Sequence, residues 1–599
     1  VSAPRFLLGW ALLTAAASAI VYARSHIALA PMPSQAAQRW AMRALSAAGA
    51  GAPLPDAPPD AVAYRAAGSV IALAWFRGVV RARYVGDGDF AGSVRRAAAR
   101  FAANPALRAL SRRPGAADNP VRFTLSVPRG AAPLLLGVPF LSNLSVVPLV
   151  EGVSAELGGQ HAYLTPEELL GDDLFDHVRT PIPDLTIGID IDRIVDMLGR
   201  ELGVDGAHLA RAGSLRRFRA GIIAANAYPT SPEVDIPTLE RAAREGAQFL
   251  LRHQGGDGRY TYVYDGRTGK PDTMQEYNLP RHAGTTYFLA QAARVLGMPE
   301  ARAGALRAMR WLREESTTTC GAPDRLCVRT RDRADMGSSA LAALAAAELL
   351  RSGDDAETRA YLRGLTAFIR SMQRPDGELK HLYDLNADRA VDVQRMYYSG
   401  EAADALLYSH RVLGDPADLA AAQRVMRHLT GAGWDFFGSR YFYGEEHWTC
   451  QAVAQALDVA GDAAGLPFCL RWLGYQRALL YPAGQTPWPV QGAIGVGPVI
   501  LPRLTTVASR VEAGAMLYPL VRARGLADAD DLRAQVESSL GLLLRMRWAP
   551  GPAHLLYDAK AAFGGVPASQ AGLQVRNDYV QHACSAMLTW VEVLRSEQR

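Results

Sequence analysis

Residues 276–296 read EYNLPRHAGTTYFLAQAARVL, residues 395–413 RMYYSGEAADALLYSHRVL and residues 576–594 RNDYVQHACSAMLTWVEVL. Each stretch opens on a cluster of polar and aromatic residues and continues as a helix that is apolar almost all round and rich in small residues. The same text recurs from Asp335-Met336-Gly337 to Leu350, from His447-Trp448-Thr449-Cys450 to Val459, and from Arg510-Val511-Glu512 to Val521. Six such segments thus follow one another at intervals of about 50 to 70 residues. Between them lie amphipathic helical patterns with charged outer faces: Pro237–Arg252, Ala301–Leu312, Ala356–Met372, Ala417–Leu429, Ala463–Leu479 and Asp530–Met546. A helix with neighbours on every side must be apolar nearly throughout and slim enough for close approach. One on the outside needs a single buried stripe. The alternation predicts six inner and six outer helices.

This arrangement resembles the (α/α)6 toroid of the six-hairpin glycosidase superfamily, and less closely the toroids of terpenoid cyclases. The resemblance is architectural and covers residues 236–599. It implies that the loops leading into the inner helices converge at one end of a barrel, where their polar groups share a cavity. Those loops carry Glu276-Tyr277-Asn278-Leu279-Pro280-Arg281-His282, Asp332-Arg333-Ala334-Asp335, Arg395-Met396-Tyr397-Tyr398-Ser399-Gly400-Glu401, Tyr443-Gly444-Glu445-Glu446-His447-Trp448 and Arg576-Asn577-Asp578-Tyr579-Val580-Gln581-His582. A carboxylate or Asn in a first helical turn often only caps the helix. Capping does not call for Tyr, Trp, His and Arg as well, so the recurrence points to a functional cavity.

Glycosidic hydrolysis needs one protonated and one ionised carboxyl group. Glu401 and Glu446 are the leading pair, with Asp335, Glu445, Glu512 and Asp578 in reserve, and Asn278, Arg281, His282, Tyr398, Trp448, Tyr579 and His582 are expected substrate contacts. A second reaction fits the same residues. Elimination or epimerisation at a uronate needs a cation or amide to neutralise the substrate carboxylate and a Tyr or His to move the proton beside it. Asn278, Arg281, His282 and Tyr398 are of that kind. A third reading is a non-catalytic carbohydrate-binding or envelope assembly module, which would keep the aromatics. Asp528-Ala529-Asp530-Asp531 matches a cyclase-type D-x-D-D string but begins an outer helix, where acids serve the dipole. Phosphate loops, dinucleotide fingerprints and Gly-x-Ser-x-Gly elbows are absent, as is zinc-type Cys or His spacing, so neither a cofactor nor a metal is expected.

Towards the N-terminus the pattern changes. Residues 31–235 read as a linker and Ala/Arg-rich helices followed by a small α/β domain, with β-type runs at 121–127, 144–150 and 185–190. Phe6–Ala23 is uncharged and mostly apolar between Arg5 and Arg24. It reads as a signal-anchor in preference to a removed signal peptide within residues 1–30, which places the remainder in the cell envelope, outside the cytoplasm. Cys320 and Cys327 enclose a polar loop that a disulfide is able to staple, whereas Cys450, Cys469 and Cys584 read as buried small hydrophobes. The 599 residues are 49% hydrophobic and 21% charged, which excludes disorder, and the net charge of +5 is spread without a basic run, which excludes nucleic acid as a partner. The expected partners are a polysaccharide or oligosaccharide substrate and, through the N-terminal segment, a membrane.

Overall fold

The structure, a computed structural model, describes residues 27–113, 118–134, 146–179, 186–226, 232–431, 447–495, 501–526 and 528–599. Phe6–Ala23 and the acids Glu445 and Glu446 lie outside the described residues. Among the described residues, no helix is long and apolar enough to cross a membrane.

Twelve helices alternate between an inner and an outer ring. The inner six are Leu279–Leu296, Met336–Ser352, Tyr398–Leu413, His447–Ala460, Leu504–Ala523 and Asn577–Glu597. The outer six are Ile236–Arg252, Pro299–Ser316, Ala356–Ser371, Pro416–Thr430, Leu466–Ala478 and Ala529–Met546. Each inner helix packs against the next, and the last packs against the first, so the ring closes. Composition sorts the two rings. Met336–Ser352 is buried continuously from Met336 to Leu349. Ala356–Ser371 buries mainly one stripe, with Tyr361, Leu362, Leu365, Phe368 and Ile369 at helical spacing. This is the (α/α)6 toroid that the repeat resembles.

The hairpins are joined by a recurring turn. Gln373 Nε2 donates to the carbonyls of Gly377 (3.1 Å) and of Ala421 on the next outer helix (3.0 Å), and Gln254 makes the same pair of bonds to Gly258 and Gly304. Gly377 has φ +94°, and a Cβ there would lie 2.5 Å from the Arg424 carbonyl oxygen. Gly377→Ala is therefore expected to cost about 2 kcal/mol or more, seen as a lower midpoint in thermal or urea unfolding.

The N-terminal domain is a six-stranded antiparallel sheet ordered Val79–Val85, Ile71–Phe76, Arg122–Pro133, Ser214–Ala224, Glu151–Leu157, Gln160–Leu164. The stretch ahead of the Pro-rich break at Ala52-Pro53-Leu54-Pro55 forms the helix Gln35–Ala50, whose Trp40 is fully buried on the sheet with Phe90 and Phe101 of the helix Phe90–Ala103. Residues 71–85, expected to be helical, form a hairpin instead. Arg77 (φ 52°) and Gly78 (φ 75°) supply the two left-handed residues of its tight turn. Of the strand expected over 144–150, residues 148–150 form a turn, and pairing begins at Glu151. Pro148 has no amide hydrogen to pair, and Leu149 sits at φ 63°. Ile71, Leu73 and Trp75 belong to the core cluster that runs into the toroid, whereas Ala72 and Ala74 join the opposite one, so this strand reads as a continuous apolar run. The two domains meet where Glu167 pairs with His554 and the Arg77 guanidinium donates to the Tyr557 hydroxyl (2.7 Å).

Two disulfides are formed, Cys320–Cys327 and Cys450–Cys469. The second corrects the reading of Cys450 and Cys469 as unpaired hydrophobes. They lie on the inner and outer helices of one hairpin, whose packing brings together residues far apart on the helical pattern. Cys584 is free and buried.

Candidate active site at the mouth of the toroid

The first turns of the inner helices gather around a cavity of about 310 Å³, lined by residues of all six of them and their approaches. That volume lies at the lower end for small-ligand pockets and admits a sugar ring.

Glu401 stands in the first turn of Tyr398–Leu413, lines this cavity and is only 6% exposed. Its Oε2 has no hydrogen-bond partner among the described residues. Burial pushes its pKa up to about 8, the nearby Asp335 carboxylate adds to the rise, and Arg281 opposes it. The group is thus a neutral acid at pH 7 at the wall of a ligand-sized hollow, with its Oε2 buried behind that wall beside Gly337. Gly337 makes room for it: a Cβ there would lie 2.8 Å from Glu401 Oε2 and 2.4 Å from Tyr398 Cε1.

The backbone ahead of Glu401 is under tension. Tyr397 sits at φ 74°, ψ −38°, and the Tyr398 amide donates to the Met396 carbonyl (3.0 Å), which closes a strained three-residue γ-turn. A buried network holds this turn. His381 Nδ1 accepts from the Arg395 amide (2.7 Å), and its Nε2 lies 2.7 Å from Ser399 Oγ, which in turn donates to Glu378. Because Nδ1 accepts, Nε2 carries the proton. Burial keeps this imidazole well below its ordinary value and hence neutral. The order of bonds is the reverse of a serine nucleophile and its base: Ser399 gives its proton to a carboxylate, and His381 gives its own to Ser399.

Across the cavity, Asp578 accepts from Arg576 Nε (2.6 Å) and Nη2 (2.8 Å) and from Arg281 Nε (3.0 Å). Burial alone would raise its pKa, but the two guanidiniums outweigh it and hold the carboxyl below the usual range. Both oxygens are occupied, so Asp578 fixes two arginines and is a poor proton donor. His582 Nδ1 lies 2.7 Å from Glu512 Oε2. Burial opposes the imidazolium, yet Glu512 prevails and raises His582 above 6.5. Glu512 itself is buried and absent from the cavity wall. It orients His582.

Of the other expected contacts, Asn278, Tyr398, Trp448 and Tyr579 line the cavity, and Asn278 Oδ1 also caps its helix at the Arg281 amide (3.1 Å). Asp335 caps Met336–Ser352 through the Ser338 amide (2.8 Å) and hydroxyl (2.7 Å) and reaches the cavity only through Tyr398. His282 is a correction. It is fully buried and turned outward, bonded to the Tyr277 hydroxyl (2.6 Å) and the Ala308 carbonyl (3.0 Å) of an outer helix, and burial pushes it down to about 4. Its helical position, one residue on from Arg281, carries it to the far side of the helix.

Several lining residues escape the sequence reading. His447 is one of them: its ring centroid lies 6.0 Å from that of the expected contact His582, which in turn is 6.1 Å from that of the expected contact Trp448. Arg503, Thr505, Thr506 and Ser509 line the wall because the fifth inner helix begins at Leu504, well before Arg510. Pro502 just before it was the available signal for that earlier start. Among the described residues, no group of three or more His, Cys, Asp or Glu is placed to hold a metal ion.

No family model matches the sequence, and no curated protein is similar to it. Solved structures similar to the chain include a D-mannose isomerase (12% identity, TM-score 0.45, covering 59% of this chain and 98% of that one). Cellobiose 2-epimerase from Bacillus thermoamylovorans B4167 is similar at 12% identity and TM-score 0.47, covering 60% and 99%. An unsaturated glucuronyl hydrolase specific for heparin is similar at 10% identity and TM-score 0.43, covering 60% and 99%. A likeness of this degree carries no activity over to this chain.

Proposed function

We propose that this chain is a carbohydrate-active enzyme that works by acid–base catalysis at the mouth of the toroid, with Glu401 as proton donor. The observation that carries the reading is Glu401 itself, a buried carboxyl kept neutral to about pH 8 at the wall of a sugar-sized cavity. A group so placed protonates the oxygen that leaves a glycosidic bond. Trp448, Tyr398 and Tyr579 supply faces on which a sugar ring stacks. The ionised partner for hydrolysis is sought in Glu446 or Glu445, since Asp578 and Glu512 are already engaged. His582, backed by Glu512, is the proton acceptor among the described residues.

One observation favours a second reading. Arg281 and Arg576, two guanidiniums that share the single carboxylate of Asp578, both line the cavity. A cationic wall of this kind neutralises a carboxylate on the substrate, which acidifies the adjacent C–H for removal by His582, as elimination or epimerisation at a uronate requires. Two disulfides support an oxidising, extracytoplasmic setting, with an envelope or extracellular polysaccharide as substrate.

Product analysis tests these readings. The full chain is incubated with neutral and uronate-containing oligosaccharides. Hydrolysis releases reducing ends without ultraviolet absorbance, elimination yields an absorbing unsaturated end, and epimerisation exchanges a carbon-bound hydrogen with D₂O. Retention of the sugar with none of these changes, and unaffected by Glu401→Gln, would leave only a binding module.

A further inference from the structure

Deeper in the ring lie titratable groups that no step above uses. Asp404, one turn beyond Glu401, is 1% exposed, and its Oδ1 has no partner among the described residues. The charges that act on it are Arg411 of its own helix and Glu512. Asp404 and Glu512 belong to the third and fifth inner helices, which are not neighbours in the ring, so their interaction runs across the toroid axis. Further along the third helix the Tyr408 hydroxyl lies 3.3 Å from the Tyr287 hydroxyl of the first, again not a neighbour. This hydrogen bond crosses the axis as well, past the alanine-rich helix Met336–Ser352 between them. Both phenols feel Glu348 of that helix. Glu348 accepts from Arg294 (2.6 Å) and Arg351 (2.8 Å), and Arg294 reaches Glu592 (2.5 Å), whose side chain is 40% exposed.

The axis is thus lined from one end to the other: His582 in the cavity, then Glu512, Asp404, Tyr408 with Tyr287, and Glu348 at the opposite rim. Gln291 Oε1, Gln455 Oε1 and Ser585 Oγ, on the first, fourth and sixth inner helices, are also buried without a protein partner among the described residues. Buried polar atoms in a folded protein are satisfied by one another or by internal water. Seven helical positions separate Glu401 from Tyr408, about 10 Å of rise, a span that a few waters bridge.

We propose that these side chains and internal water form a proton-conducting column along the toroid axis, joining the His582–Glu512 pair at the cavity to the Glu348–Arg294–Glu592 network at the opposite rim. Each carrier releases one proton as it takes up another. Asp404, as a neutral acid, hands its hydroxyl proton to water on one side and is reprotonated from the other, so no charge accumulates and no co-reactant is consumed. Burial, which holds Asp404 well above the usual carboxyl range, keeps it in that neutral form. The column gives His582 a second route for its proton after turnover, to the opposite rim. It holds whichever sugar reaction the site performs, since it is measured in the resting protein.

Infrared spectroscopy of the full chain tests it. A protonated carboxyl band present in the wild type and lost in Asp404→Asn identifies the group, and Asp404→Glu, which moves the band, serves if the asparagine variant does not fold. In D₂O the wild-type band should shift within about a minute, while core amides exchange over hours. Tyr408→Phe and His582→Phe each close one end and should leave exchange fast. The double variant should slow it by about tenfold or more. A band that persists for hours in the wild type, a double variant that exchanges as fast as the wild type, or the absence of any Asp404 acid band overturns the proposal.

Discussion

Replacing Glu401 by Gln should abolish turnover while leaving the protein folded and, above neutral pH, more stable than the wild type. Loss of a general acid costs about 10²- to 10⁴-fold in rate, measured as kcat/KM on whichever substrate the product analysis identifies. The stability change has the opposite sign for a physical reason. The pKa of Glu401 is raised by folding from its ordinary value to about 8. The folded state therefore loses stability as pH rises from the ordinary carboxyl range through about 8, where the unfolded chain ionises freely and the buried group resists. Gln does not ionise, so the variant escapes a penalty on the order of a few kcal/mol at pH 9. Thermal midpoints should coincide near pH 4, diverge in favour of the variant as pH rises through the range between the ordinary carboxyl value and about 8, and differ by a constant amount above it. The wild-type rate should fall as pH passes about 8. A variant less stable than wild type at pH 9, or fully active, would remove Glu401 from the role of buried acid.

Asp578→Asn should fail differently. It leaves Arg281 and Arg576 facing each other without their shared counter-charge, and breaking such a buried pair costs about 3 kcal/mol, at the low end for buried ion pairs because the Arg281 side chain is a third exposed. The contribution of Asp578 has the usual carboxylate sign: its pKa is depressed, so the stability it provides is present above the ordinary carboxyl range and lost as pH falls through the depressed value. The variant should melt lower at pH 7, and KM should rise more than kcat falls because the arginines lose their aim. Wild-type stability together with a pure loss of kcat would instead make Asp578 a catalytic carboxylate.

Two aspartates at the starts of inner helices show how much of the site was legible. Asp335 and Asp578 look alike in sequence, each at the first turn of an inner helix. Asp335 bonds to its own helix three residues on, at the amide and the hydroxyl of Ser338, a local pattern that spacing reveals. Asp578 is defined by Arg281, 297 positions away, which no local pattern contains. His282 fails for the converse reason. Its place in a polar cluster is plain, but only the packing of Pro299–Ser316 against it decides that it faces outward. The same holds for Cys450 and Cys469, whose pairing depends on how two helices of one hairpin face each other.

What the sequence determined by itself was the alternation of slim, uniformly apolar helices with one-sided ones, and hence a double ring, because the burial a helix needs is written in its own periodicity. It also marked the ends of the inner helices as chemical, because residue types beyond those of a cap recur there. The tertiary structure alone decided which acid is neutral and which is clamped. Proton affinity depends on the charges and the water excluded within a few ångströms, and closing the ring sets those distances between residues hundreds of positions apart.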